Sequence, residues 1–119
     1  MKILLDEQLP VKLKYRFNPE LDVSTVKDEQ WLGVKNGILI QLALDNEFSV
    51  FITNEHNLAN QQFLSQFKIL FININKPSNR YEDVLPVIFI IKQWLIINRE
   101  DIAAIIEKGN YLIYPEDFS

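Results

Sequence analysis

An apolar run, Ile3-Leu4-Leu5, stops at two carboxylates, Asp6 and Glu7, and Pro10 follows shortly after. A run this short and this apolar reads as a buried strand, and proline suits the first turn of a helix. In an open α/β sheet, ligands collect at the carboxyl ends of the strands. The segment therefore constrains both the fold class and the place where chemistry would sit. The same acids would also serve as helix caps, because negative charge is favoured at a helix N-terminus.

The pattern recurs along the chain. Residues 2–5, 21–26, 49–53 and 68–74 read as strands, the second by alternation and the others as apolar runs. Helices are expected over residues 9–17, 37–46, 58–67 and 80–97. Leu9, Leu13 and Phe17 share one face of the first, and Asn36 is the expected N-cap of the second. Asn79 and Glu82 fit a capping box for the fourth, which carries Pro86 in its interior. Strands alternating with helices predict an α/β fold with a mostly parallel sheet, and right-handed crossovers bring the ends of the first and third strands to the same edge of the sheet. Residues 102–114, broken by Lys108-Gly109-Asn110, are expected to form a C-terminal β-hairpin. No linker divides the 119 residues, so a single domain spanning 1–119 is expected.

Composition narrows the function classes. The absence of cysteine excludes disulfides, thiolate metal sites and thiol nucleophiles. A net charge of −4 weighs against a free-standing, high-affinity nucleic-acid binder, although it leaves room for a nuclease that gathers acids around a metal. The most apolar stretch, residues 84–97, is interrupted by Pro86, Lys92 and Gln93 and is too short to span a bilayer. No signal peptide is legible, and a cytoplasmic location without a membrane partner is the expectation.

Two strand ends carry acids: Asp6 with Glu7 at the first, and Glu55 at the third. Such a set suits Mg²⁺ or Mn²⁺, hard cations that take oxygen ligands and keep several waters. A carboxylate-held ion can polarise a phosphoryl oxygen and activate water, which is the chemistry of phosphodiester hydrolysis. His56 is the only histidine, so a multi-histidine site is excluded; it would contact a phosphate or remain a solvated loop residue. Lys35 and the helix start after Asn36 would hold a phosphate, as would Arg80. The amides that begin at Asn57 would contact nucleic acid or form a plain polar face. Trp31 would stack on a base or pack a loop onto the domain. The helix over 84–97 is apolar on more than one face, which suits deep burial or a dimer or partner interface.

Three motifs in order carry a resemblance. Leu4-Leu5-Asp6-Glu7-x-Leu9-Pro10, then Trp31-x-Gly33-Val34-Lys35-Asn36-Gly37, then Thr53-Asn54-Glu55-His56-Asn57-Leu58-x-x-Gln61-Gln62 resemble a bacterial family of PIN-like proteins, whose members are uncharacterised or described as toxins. The resemblance implies a three-layer α/β/α PIN-like sandwich. It also implies a metal-dependent ribonuclease acting on RNA, often the toxin of a toxin–antitoxin pair with a small antitoxin protein. Under it, Asp6 is the first metal-binding acid, Glu7 the neighbouring acid, and Glu55 stands where the family carries aspartate. The sequence departs from the family at Glu55, at His56 where arginine is common, and in the helix after Gly37, which supplies no acid at Asn36, Gly37 or Ile38. The alternative under the same resemblance is a catalytically degenerate PIN-like module that binds RNA or protein.

Overall fold

A computed structural model describes residues 1–56 and 61–118. Five strands form one sheet: β1 (Lys2–Leu5), β2 (Asp22–Thr25), β3 (Val50–Thr53), β4 (Leu70–Asn73) and β5 (Tyr111–Ile113). Their order is β2-β1-β3-β4-β5, and every neighbouring pair is parallel. Among the described residues, four α-helices accompany them: α1 (Asn36–Asp45), α2 (Gln61–Leu64), α3 (Tyr81–Ile97) and α4 (Ile102–Lys108).

The central strands β3 and β4 are buried at every residue, which is why they read as unbroken apolar runs instead of alternating. Successive side chains point to opposite faces of the sheet. Ile3, Leu5, Val50, Ile52, Leu70 and Ile72 belong to a core shared with α3. Leu4, Phe51, Ile69 and Phe71 belong to a second core shared with α1. Helices thus cover both faces. In α3 the residues Val84, Val87, Ile88, Ile91 and Leu95 recur at helical spacing and are buried, and the helix continues through the exposed Pro86. Phe89, Ile90 and Ile97 stand outside that stripe and are exposed.

Several expectations are corrected. The C-terminal segment is not a hairpin. Residues 102–108 form α4, and β5 joins the sheet parallel to β4. Ile102, Ile105 and Ile106 lie three and four residues apart, a helical stripe that packs on the α3-side core; their β-branched side chains imitate a strand only when counted by type. Asn110, expected as a turn residue, is buried, and its amide donates to the carbonyls of Leu64, Phe67 and Ile69. The segment after Pro10 is a 3₁₀ helix, Val11–Arg16, shorter than the α-helix expected, although Leu9, Leu13 and Phe17 are buried as their spacing requires. Asn36 is the first residue of α1, not its cap, and Lys35 at the cap position makes no capping side-chain bond. The Asn79/Glu82 capping box is also absent: Arg80 precedes α3, and Oδ1 of Asn79 accepts from the Asn54 side-chain amide instead. Of the helix expected over 58–67, α2 accounts for Gln61–Leu64, and residues 57–60 lie outside the described residues.

Candidate functional site

Because all five strands are parallel, their carboxyl ends share one edge of the sheet. In a doubly wound sheet of order 2-1-3-4-5, the connections diverge between β1 and β3, and a crevice opens outside their carboxyl ends. Asp6 follows β1 directly, and Thr53 ends β3, with Asn54 and Glu55 next. The Asp6 N–H donates to the Ile52 carbonyl at 2.9 Å, so the pairing of the two strands extends to the acid itself.

The Asp6 carboxylate is held from three sides. Thr53 Oγ1 donates to Oδ2 at 2.7 Å, and the Glu7 N–H donates to Oδ1 at 2.8 Å. The Gln8 amide, oriented with its nitrogen towards Asp6, donates to Oδ2 at 2.9 Å. Burial nevertheless raises the Asp6 carboxyl above its ordinary range, outweighing the three donors that pull it down; the Glu7 charge adds slightly to the rise.

Behind Asp6 lies a frame of buried asparagines. Asn73, at the end of β4, is fully buried. Its amide donates to the Glu55 carbonyl at 2.6 Å and to the Tyr111 hydroxyl at 3.0 Å, while its oxygen accepts from the N–H groups of Glu55 and Asn75. The backbone of Glu55 is thereby tied to β4 on both sides. Asn54 does the same for the next loop: its oxygen accepts from the Lys76 N–H, and its amide donates to Asn79. Both side chains sit at positions where the sheet ladder ends and backbone polar groups would otherwise lack partners.

A cavity of about 190 Å³ opens beside this frame, between the sheet, α1 and α2. Asp6, Thr53, Glu55 and Asn36 supply its polar lining. Phe51, Phe71 and Tyr111 line it from the sheet, and Ile40, Phe63 and Leu64 from the helices. The Phe71 and Tyr111 rings stack, with centroids 6.4 Å apart.

The structure thus brings together Asp6, Glu55 and Asn36 among the residues singled out from the sequence. Glu7 is exposed and contributes its backbone N–H to Asp6; its carboxylate does not line the cavity. Lys35, His56 and Arg80 are also exposed and outside the cavity lining, and Arg80 pairs with Glu82 at 2.8 Å. Asn57 lies outside the described residues. Sequence reasoning missed Thr53, Gln8, Asn73 and Tyr111. Thr53 and Gln8 were visible as polar residues within the motifs. Asn73 and Tyr111 carried no signal, since only the pairing of β4 with β5 brings them to the site.

The oxygen donors present suit a hard divalent ion. Two carboxylates, a hydroxyl and an amide match a cation that takes one or two carboxylates and fills its remaining positions with water and substrate oxygens. Among the described residues, no group of three acids or histidines stands close enough to form a cage by itself. Comparisons with family models, curated proteins and solved structures found no match to this chain. Among the described residues, no helix is long and apolar enough to cross a membrane.

Proposed function

We propose that this chain is a PIN-like, Mg²⁺- or Mn²⁺-dependent ribonuclease whose centre is the cavity shared by Asp6 and Glu55. The observation that carries the reading is that Asp6 and Glu55, each just beyond the end of one of two adjacent parallel strands, line one cavity at the point where the sheet's connections diverge. Asp6 and Glu55 are the ion's protein ligands in this proposal. When bound, the ion supplies a polarised phosphoryl oxygen and an activated water. Thr53 and Gln8 hold the Asp6 carboxylate in one orientation, and Glu7 adds negative charge beside it. Asn36 lines the same cavity, and the proposed phosphate contacts are the exposed Lys35, His56 and Arg80, together with Asn57, which lies outside the described residues. The proposal extends to a cytoplasmic toxin restrained by a small antitoxin protein, and to a second copy of the chain seated on the outer ridge of α3.

Purified protein incubated with a panel of RNAs and Mn²⁺ tests the reading. Cleavage that is lost in Asp6→Asn and in EDTA supports it, as does growth arrest on expression that Asp6→Asn relieves. Intact RNA together with negligible Mn²⁺ affinity overturns it. Sedimentation at micromolar concentration tests the dimer, and a monomer there eliminates it.

A second reading is favoured by one observation: the described residues bring only two carboxylates to the cavity, and protein donors already engage Asp6. In that reading the chain is a degenerate PIN-like module that binds RNA or a protein without cutting. RNA retention by both wild type and Asp6→Asn, with no cleavage by either, selects it.

A further inference from the structure

We propose that Asn36 deamidates spontaneously through the backbone nitrogen of Gly37, and that the aspartate so formed gives the cavity a third carboxylate with which to hold a divalent ion. The site of modification rests on the structure of α1, whereas its consequence rests on the reading of the cavity as a Mg²⁺ or Mn²⁺ centre. Gly37 lies in the first turn of α1, where glycine costs stability relative to alanine. Neither of the usual reasons for a helical glycine applies. Its φ is not positive, and a Cβ built there would meet nothing nearer than the Phe63 ring at 3.5 Å, an ordinary contact. What glycine does leave is an unshielded backbone nitrogen next to the Asn36 side chain, and Asn36-Gly37 is the one Asn-Gly pair in the chain. The N–H groups of a helix's first turn have no intrahelical partner, and helix ends fray. No side-chain bond from Lys35 caps α1, and its first turn carries no acid. Asn36 itself is exposed. The backbone rotation that brings the Gly37 nitrogen onto Cγ of Asn36 therefore opens one end of a helix and disturbs no core. By contrast, Asn54, Asn73 and Asn110 are buried with their amides hydrogen-bonded.

Water is the only co-reactant the step needs. The Gly37 nitrogen bonds to Cγ of Asn36, and the side-chain nitrogen leaves as ammonia, carrying off the proton that Gly37 gives up. Water then opens the succinimide. Breaking the bond between the Gly37 nitrogen and Cγ returns a proton to that nitrogen and leaves aspartate with its backbone intact. Breaking the bond to the Asn36 carbonyl carbon instead leaves isoaspartate, in which the chain continues through Cγ. Nothing is oxidised or reduced. The aspartate product stands in the first turn of α1, where the helix dipole favours negative charge. It also lines the cavity that Asp6 and Glu55 line. Among the described residues, no three acids or histidines are grouped before this change. A hard cation binds more tightly as the number of charged oxygen ligands rises. Three carboxylates repel one another until a cation neutralises them, so the new charge favours the loaded form.

Full-length protein, fresh and after incubation at mildly alkaline pH, is digested and the peptide carrying residue 36 is quantified by mass spectrometry. Mn²⁺ affinity is measured in parallel by titration calorimetry. Conversion at Asn36 is expected to outrun that at every other asparagine at least tenfold, and Gly37→Ala to slow it at least tenfold. Mn²⁺ should bind at least fivefold more tightly to Asn36→Asp, which carries the aspartate product alone, than to fresh wild type. Incubation should tighten binding by wild type and leave that of Gly37→Ala unchanged. Conversion at Asn36 no faster than at the other asparagines overturns the proposal. So does Mn²⁺ binding by fresh protein that neither incubation nor Asn36→Asp improves, a result that keeps the divalent centre. Failure of Mn²⁺ to bind wild type, fresh or incubated, and Asn36→Asp overturns the centre and the proposed consequence together. Tighter Mn²⁺ binding without RNA cleavage upholds the modification and discards the ribonuclease.

Discussion

Thr53 Oγ1 donates to Asp6 Oδ2 at 2.7 Å, joining the last residue of β3 to the first residue beyond β1. The bond spans the point where the sheet's connections diverge, and it orients the acid that burial works against. Removing the donor should therefore be felt in stability and in the site together. Thr53→Val keeps the shape and leaves the half-buried Asp6 Oδ2 with only the Gln8 amide as its side-chain donor. The expected loss at neutral pH is about 1–3 kcal/mol, and Thr53→Ser should recover most of it. Urea unfolding at pH 7 measures both.

The pH dependence of Asp6 has a defined sign. Its folded carboxyl titrates above its ordinary value because burial penalises the charged form. The unfolded chain therefore releases its proton first as pH rises, and stability falls through the window between the ordinary and the raised value. Below that window both states are protonated and the penalty is absent; above it the penalty is constant. Asp6→Asn removes the charge, and its amide can donate to Thr53 and Gln8 while its oxygen accepts from the Glu7 N–H. The variant should melt at a higher temperature than wild type at pH 7, with the difference shrinking as pH falls through the window. Thermal unfolding monitored by circular dichroism at both ends of the range checks this. A gain in stability with a loss of function is the signature of a site residue.

Asn73 fastens Glu55 to β4. Asn73→Leu, similar in volume, removes one hydrogen bond from each of the Glu55 N–H, the Glu55 carbonyl, the Tyr111 hydroxyl and the Asn75 N–H, and places an apolar group against them. Each lost hydrogen bond costs roughly 0.5–1.5 kcal/mol, and relaxation towards water recovers part of the sum. A net loss of about 2–4 kcal/mol is expected in denaturant titration. Amide exchange should be faster at Glu55 and Asn75 in particular.

The C-terminal helix makes a separate prediction. Ala104 is exposed within α4. Glycine in a helix costs about 1 kcal/mol relative to alanine. Ala104→Gly should thus lower the unfolding free energy by about that amount without touching the core. Chemical unfolding of the two proteins side by side measures it.

How far the sequence reaches differs by element. β1, β3 and β4 were legible because central strands of a covered parallel sheet are apolar at every position, and turn residues bound them. The buried stripe of α3 was legible from its three- and four-residue spacing. The segment over 102–108 was not, because its isoleucines suit a strand by residue type and a helix by spacing, and the packing on the α3-side core decides their state. Helix starts are illegible for a related reason. Asn36 and Asn79 are good capping residues in isolation, but one lines the cavity and the other accepts from Asn54.

For the site, the sequence by itself determined that acids stand at the ends of the first and third strands, since an apolar run followed by Asp6 or by Asn54-Glu55 is a local pattern. Only the tertiary structure decided that β1 and β3 are neighbours, that Asp6 and Glu55 share a cavity, and that the carboxylate of Glu7 stands outside it. It also brought in Asn73 and Tyr111, distant in sequence. The reason is physical: a strand end is specified by residues a few positions apart, whereas the partner of a buried polar group is chosen by strand order and register, which depend on how the whole sheet buries its two faces.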